Sequence, residues 1–206
     1  MKTKLERVVY CLVVLTTRSG VVFADDFRGI DWGTPRHIVR EILQTPILAD
    51  GRLTIRTHDQ IEELDVDVSY QFFENCKLLM GTSIAPTLLG SEGNDKRLRA
   101  ENTVFFGGMI RRLTEKYGDF QWDCGDVKPE TLPMNQYMEY VEKTKNSCKA
   151  TWLQDRTTIE LFLGYIPISP SKNAPDIVAA FVTYQPSPLV RARLDTLENR
   201  AAKSKF

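Results

Sequence analysis

The stretch that decides the fold is LDVDVSYQFFENCKLLMGTSI, residues 64–84. Its first nine residues alternate between apolar and polar side chains. That period is typical of a strand with one face on a core and the other in water. Three polar residues, Glu74, Asn75 and Cys76, follow as a turn. Residues 77–84 then predict the returning strand of an antiparallel hairpin.

A comparable pattern lies in the second half of the chain. The segments TIELFLGYI (158–166) and DIVAAFVTY (176–184) alternate in the same way, and the Pro-rich connection between them predicts a loop. A further short strand is predicted before each hairpin, at residues 53–57 and 151–155. Each half therefore resembles the other in pattern.

Apolar residues at helical spacing predict a helix ahead of each set of strands and another at the end of the chain. The resulting order, α-βββ-α-βββ-α, predicts an α+β protein made of two related αβββ units with antiparallel sheets, plus a C-terminal helix. The halves would span about residues 25–90 and 95–185, and the last helix about 187–204. Their sheets would either fuse or pack face to face.

The first 24 residues predict a secretory signal peptide, with a basic start and a short apolar run. Val22 and Ala24 are the small residues expected before a cleavage site. The run is shorter than the roughly 20 residues that a membrane span requires. We therefore expect residues 25–206 to form a single periplasmic or secreted domain without a membrane span. An uncleaved anchor is the alternative.

Charge argues against one class of partner. The chain has 27 basic and 27 acidic residues, of which the predicted leader contains four basic residues and one acidic residue. The remainder would carry a net charge of −3. A nucleic-acid surface needs a concentrated basic field. We therefore expect no nucleic acid among the partners.

Three cysteines lie outside the leader, and an odd number means that one is free or pairs with another chain. Cys124 and Cys148 flank a polar insertion, and we predict a disulfide bond between them, which leaves Cys76 either as a free thiol or as the site of an intermolecular disulfide. Three reduced thiols are the alternative. The cysteines and histidines lack the spacing of a zinc site, so we expect no metal.

The stretch DDFRGIDWGTP, residues 25–35, joins the leader to the first helix. Phe27, Ile30 and Trp32 are apolar enough to fix the chain onto a core. We interpret the stretch as a structural clamp at the start of the fold. Arg28 and Asp31 are its candidates for exposed contacts.

Two sets of residues carry a family resemblance. FRGIDWGTPRHIVREIL (27–43) resembles the start of small periplasmic proteins of unknown function that open with an F-R-G-I-x-W-G-T segment and a helix. LTEKYGDF (113–120), with the later segments ATWLQDRTTIELFL (150–163) and IVAAFVTYQ (177–185), resembles the BamE-like (SmpA/OmlA) and β-lactamase-inhibitor-protein-like folds. This resemblance implies a non-catalytic binding or scaffolding role in the periplasm and supplies no catalytic residue. BamE-like proteins are usually lipoproteins, and this chain lacks their lipobox.

Catalysis has little support in the sequence. The two histidines, His37 and His58, are accompanied by no nucleophile motif, no zinc-protease motif and no glycine-rich phosphate loop. We therefore expect no catalytic residue and no cofactor. The acidic residues around Asp65 and Asp67 are interpreted as a charged solvent face rather than a calcium site, since EF-hand spacing is absent.

The binding surface predicted from the sequence is the outward face of the first hairpin, at Asp65, Asp67, Gln71 and Phe73. Phe162 falls on the corresponding polar face in the second half, and an exposed apolar patch formed by Phe73 and Phe162 would mark a partner surface. The alternative, which we favour, is that a helix or the other half of the protein covers both rings. We expect a non-catalytic exported protein that binds another protein or envelope component. A small-molecule or lipid-binding periplasmic module, with its ligand between the halves, is the alternative, and an enzyme of unknown class ranks third.

Overall fold

The computed structural model describes residues 27–61, 63–86, 95–129, 133–166 and 177–204, so the predicted signal peptide lies outside it. The described part is a mixed α+β fold. In chain order its elements are α1 (Arg36–Ile42), β1 (Ile47–Asp50), β2 (Thr54–Ile61), β3 (Leu64–Phe72), β4 (Leu79–Pro86), α2 (Asp95–Tyr117), β5 (Gln121–Asp123), α3 (Met134–Thr144), β6 (Cys148–Leu153), β7 (Thr157–Ile166), β8 (Ile177–Pro186) and α4 (Pro188–Lys203).

All eight described strands form one antiparallel sheet in the order β1-β2-β3-β4-β8-β7-β6-β5. The hairpin predicted at residues 64–84 is the pair β3 and β4, with Val68 opposite Ile84. Each half contributes four described strands rather than three. The additional ones, β1 and β5, are four and three residues long, too short for the alternating pattern to reveal them.

One face of the sheet carries the hydrophobic core. The helix α2 packs against β7 and β8, and α3 packs against α2 and β7. None of the helices in the described ranges is long and apolar enough to cross a membrane. Fully buried side chains that point toward the helices are Ile55, Val66, Val68, Ala150, Trp152, Ile159, Leu161, Leu163, Ala180 and Val182.

The two halves of the sheet meet at a short seam between β4 and β8. Their register covers three residue pairs, Thr82–Ile84 against Val182–Tyr184. Beyond them, the backbone N–H of Ala180 donates to the Asn102 side chain of α2 at 2.7 Å. Asn102 is fully buried and donates in turn to the carbonyl of Leu98 at 2.8 Å. A helix side chain therefore satisfies a strand donor where the strand ladder ends.

The polar insertion contains the helix α3, which the sequence analysis did not predict. Its apolar residues Tyr137, Met138 and Val141 are buried. The insertion is closed by the predicted disulfide: Cys124 and Cys148 are joined, with Cα atoms 4.1 Å apart, and Cys76 takes part in no disulfide among the described residues. The bridge ties the insertion to the first residue of β6.

Residues 27–34 form the predicted N-terminal clamp. Phe27, Ile30 and Trp32 are at most 4% exposed. The ring of Phe27 lies 4.8 Å from that of Tyr184 in β8. Gly33 has φ +84°, and a Cβ there would come within 2.9 Å of a Leu194 methyl carbon in α4. Glycine is required at this position because both the backbone angle and the neighbouring side chain exclude larger residues.

The last helix, α4, closes the end of the sheet at the β3–β4 turn. The Glu198 carboxylate accepts hydrogen bonds from the backbone N–H of Asn75 at 2.9 Å and of Cys76 at 3.0 Å. It also accepts one from the Asn75 side-chain amide at 2.6 Å. Burial raises the pKa of Glu198, but these hydrogen bonds outweigh burial and hold the pKa below its ordinary value of 4.5.

Replacing Glu198 with glutamine should therefore produce a pH-dependent loss of stability. Because the folded pKa is depressed, the carboxylate stabilises the fold fully above its unfolded pKa and loses that effect as the pH falls through the folded pKa. We expect Glu198→Gln to lower the free energy of unfolding by about 1 kcal/mol at neutral pH, after allowance for partial exposure. Urea denaturation at about pH 7 and about pH 3 should show the difference from wild type shrinking in acid.

The matched control is Glu74→Gln, which alters an exposed carboxylate that pairs with Arg52 near the same turn. That variant should remain within about 0.5 kcal/mol of wild type. A loss for Glu198→Gln that is equal at both pH values would contradict the assigned role of its charge.

Candidate functional site

The second face of the sheet, called here the open face, carries side chains that are partly or fully exposed among the described residues. It is formed by the alternate residues of each strand that point away from the core. On β3 these are Asp65, Asp67, Ser69 and Gln71, all partly or fully exposed. The adjoining strands contribute Arg56, His58, Ser83, Ala85, Ala179, Phe181, Thr183, Lys149, Thr151, Glu160 and Phe162, which are likewise partly or fully exposed.

An aromatic pair lies on this face beside the seam. Phe162 on β7 and Phe181 on β8 are directly opposite in the register, and their ring centroids are 4.9 Å apart. A Cβ on Gly164 would come within 2.6 Å of the tip of the Phe162 ring. The glycine therefore allows that ring to lie across its own strand. Both phenylalanines remain partly exposed, although burial of such a ring is favourable by about 2 kcal/mol or more.

Small side chains line the seam next to the aromatic pair. The open-face residues of β4 are Gly81, Ser83 and Ala85. On β8, the open-face residues on either side of Phe181 are Ala179 and Thr183. Because the side chains of these residues are short, they form a strip of the sheet beyond which the two phenylalanine rings project. The strip offers space for side chains of another molecule.

Charges on the open face are mostly paired within the protein. Arg56 donates to the Asp67 carboxylate at 2.7 Å. In the second half, Lys149 donates to the Glu160 carboxylate at 3.3 Å. These exposed pairs contribute little to stability, about 0–1 kcal/mol each. They do leave the face close to electrical neutrality on both sides of the seam.

The structure brings three of the four predicted binding residues together. Asp65, Asp67 and Gln71 share the open face, but Phe73 does not. The strand β3 ends at Phe72 after a register shift, and Phe73 is 6% exposed. The guanidinium of Arg191 in α4 lies 4.8 Å above its ring. Alternation failed for Phe73 because the strand pattern no longer applies after the bulge.

Both histidines are at least partly exposed. His37 is exposed on α1. His58 is on the open face, 3.5 Å from the Asp65 carboxylate and 3.8 Å from that of Asp67. Within the described residues, no group of three or more His, Cys, Asp and Glu side chains has the arrangement of a metal site.

Phe181 is the residue that the sequence analysis missed. It lies between the inward residues Ala180 and Val182 of an alternating strand, so the rule that selected Phe162 also selects Phe181. Its role depends on strand pairing, because only the register of β7 against β8 places the two rings together. That register is not readable from either strand alone.

Comparison of the chain with protein-family models, with curated proteins and with solved structures finds no match in any of the three.

Proposed function

We propose that this protein is an exported, non-catalytic binding protein whose open face binds another protein. The observation that carries the proposal is the partly exposed pair of Phe162 and Phe181 on a sheet face whose described side chains are partly or fully exposed. Exposed aromatic side chains beside small residues are typical of partner surfaces, where buried aromatic contacts supply much of the binding energy.

The shape of the face favours a protein partner over a small molecule. Small ligands bind in concave sites that bury most of their surface. The open face consists of one layer of strand side chains, and its residues around the seam are partly exposed rather than enclosed. A broad partner surface would cover both the aromatic pair and the adjacent strip.

The charge pattern indicates the chemistry of the partner. Because Arg56 pairs with Asp67, and Lys149 with Glu160, the face offers no strong net field of either sign. A complementary partner would therefore present an apolar projection for the two phenylalanines and neutral polar groups at its rim. A strongly basic or acidic partner would gain little from this surface.

Three further features belong to the same proposal. The predicted leader and the Cys124–Cys148 bridge support an oxidising compartment, such as the periplasm. The sheet order runs outward from the seam as four strands on each side, each set preceded by a helix, which supports descent of the halves from one unit. The resemblance to BamE-like and β-lactamase-inhibitor-protein-like folds accords with a binding role and is retained as a proposal.

Site-specific photo-crosslinking in the native host tests this function. The photoreactive residue benzoylphenylalanine would replace Ser83 at the centre of the open face, or Glu115 on α2 as a comparison. We expect one discrete adduct from position 83 and none of the same mass from position 115. Combining position 83 with Phe162→Ala and Phe181→Ala should abolish the adduct. With the purified partner, this double substitution should weaken binding by about a hundredfold, since two hot-spot aromatics are lost.

A control variant with Val104→Ala and Leu189→Ala removes exposed apolar side chains elsewhere, because these residues are 54% and 65% exposed on α2 and α4. It should retain the adduct. An adduct that survives loss of both phenylalanines would overturn the proposal. An adduct with the mass of two copies of this chain would show that the open face binds a second copy of the chain rather than a different protein.

A further inference from the structure

A separate cleft lies on the helix-covered side of the sheet. It has a volume of about 400 Å³ and opens between the N-terminal clamp, the end of β2 and the second half of α2. The helix α2 packs mainly against β7 and β8, which belong to the second half of the sheet. Among the described residues, α2 therefore leaves a gap between itself and the clamp over the first half of the sheet.

The floor of the cleft is apolar. Ile61 and Ile84 line it from the sheet, and Met109 and Leu113 line it from α2. The ring of Phe27 borders it on the clamp side. Met109 and Leu113 are four residues apart and so lie on the same face of the helix. This lining would accept an aliphatic chain or a small ring.

Cationic side chains stand at the rim. Arg112 and Lys116, also four residues apart, line the cleft from α2 and are exposed. Arg28 lines it from the clamp and forms an ion pair with Asp59. None of the described residues that line the cleft is acidic. The rim therefore favours a negatively charged group.

A tyrosine side chain also lines the cleft. Tyr184 is only 7% exposed, so most of its ring is buried. Burial raises its pKa far above the ordinary value of 10, and the neighbouring Tyr117 hydroxyl adds to this effect. The group therefore stays protonated and able to donate. An anionic ligand oxygen in the cleft would accept a hydrogen bond from the Tyr184 hydroxyl.

We propose that this cleft binds a small amphipathic anion, with the apolar tail on the floor and the anionic head group between Arg112, Lys116 and Tyr184. Both carboxylate and phosphate heads fit this chemistry. The site is distinct from the open face, and the proposal does not depend on a protein partner.

Titration calorimetry of the purified full chain tests the cleft with four defined probes below their micelle concentrations. Decanoate and decyl phosphate carry the tail and the charge, decanol carries only the tail, and acetate carries only the charge. We expect the two anionic amphiphiles to bind at one site, at least tenfold more tightly than decanol or acetate. Whichever of the two binds more tightly identifies the preferred head group.

Substitutions then locate the site. Arg112→Gln with Lys116→Gln should weaken decanoate binding at least tenfold, and Tyr184→Phe should weaken it several-fold while leaving decanol unaffected. Arg193→Gln with Lys203→Gln, which removes two exposed charges from α4, should bind decanoate like wild type. Loss of both phenylalanines from the open face should also leave it unchanged.

Three results would overturn this site: no heat of binding with either anionic amphiphile, equal affinity for decanol, or equal weakening in the two charge-removed variants. Because the readout is calorimetric and the open-face variant is included, failure of the cleft and failure of the protein-binding face are distinguishable.

Discussion

Trp32→Ala should lower the free energy of unfolding by about 3–5 kcal/mol, the range of large aromatic truncations in a core. The side chain is 4% exposed. Its indole N–H donates to the Thr157 hydroxyl of β7 at 2.9 Å. The residue that follows it, Gly33, donates its backbone N–H to the Leu79 carbonyl of β4 at 2.9 Å. The clamp thus joins strands from both halves of the sheet, and its loss weakens contacts on each side of the seam.

Urea denaturation of wild type, Trp32→Ala and Trp32→Phe measures this loss of stability. It also separates the contribution of the apolar ring from that of the hydrogen bond to Thr157. Phenylalanine retains most of the apolar volume but removes the donor to Thr157, so it should cost less than alanine. A variant Trp32→Ala with wild-type stability and impaired binding would contradict the clamp and make residues 27–34 a binding segment.

Removal of the disulfide should have the second-largest effect. The bridge spans a sequence separation of 24 residues, for which chain-entropy reasoning gives about 3 kcal/mol. Cys124 and Cys148 are both fully buried, so alanine is preferable to serine, whose hydroxyl would lack a partner. We expect Cys124→Ala with Cys148→Ala to unfold at a clearly lower urea concentration than wild type.

Reduction provides an independent measurement of the same bridge. Dithiothreitol should destabilise the wild type and leave the double variant unchanged. Cys76→Ala, which removes the cysteine outside the bridge, should keep the sensitivity of the wild type to reduction. If Cys76→Ala abolished that sensitivity, the pairing of Cys124 with Cys148 would be wrong.

Alternation of side chains was sufficient to predict the long strands. Val66, Val68 and Tyr70 point to the core as their spacing indicates, because a nine-residue strand repeats the pattern often enough to be recognised. The strands β1 and β5 were not predicted, because four and three residues are too few to show an alternating pattern. The same reasoning also treated residues 125–147 as a plain insertion, although Tyr137, Met138 and Val141 form the buried side of α3.

The candidate site was predictable only where one strand is informative by itself. Asp65, Asp67 and Gln71 follow from the alternation of β3. Phe73 does not, since a bulge and the packing of α4 decide its position, and both depend on residues far away in sequence. The anionic cleft had no sequence signal, because its lining comes from the clamp, three strands and α2.

The position of α4 determines when, during translation, the first hairpin and the clamp can form their native contacts with it. The β3–β4 turn receives its capping carboxylate from Glu198, which lies 123 residues after Asn75. Leu194 of the same helix packs against Gly33 in the clamp. A ribosome therefore synthesises the first hairpin long before it supplies the helix that completes it. The contacts that α4 makes with the first hairpin and the clamp therefore form only after residues up to Glu198 have been synthesised.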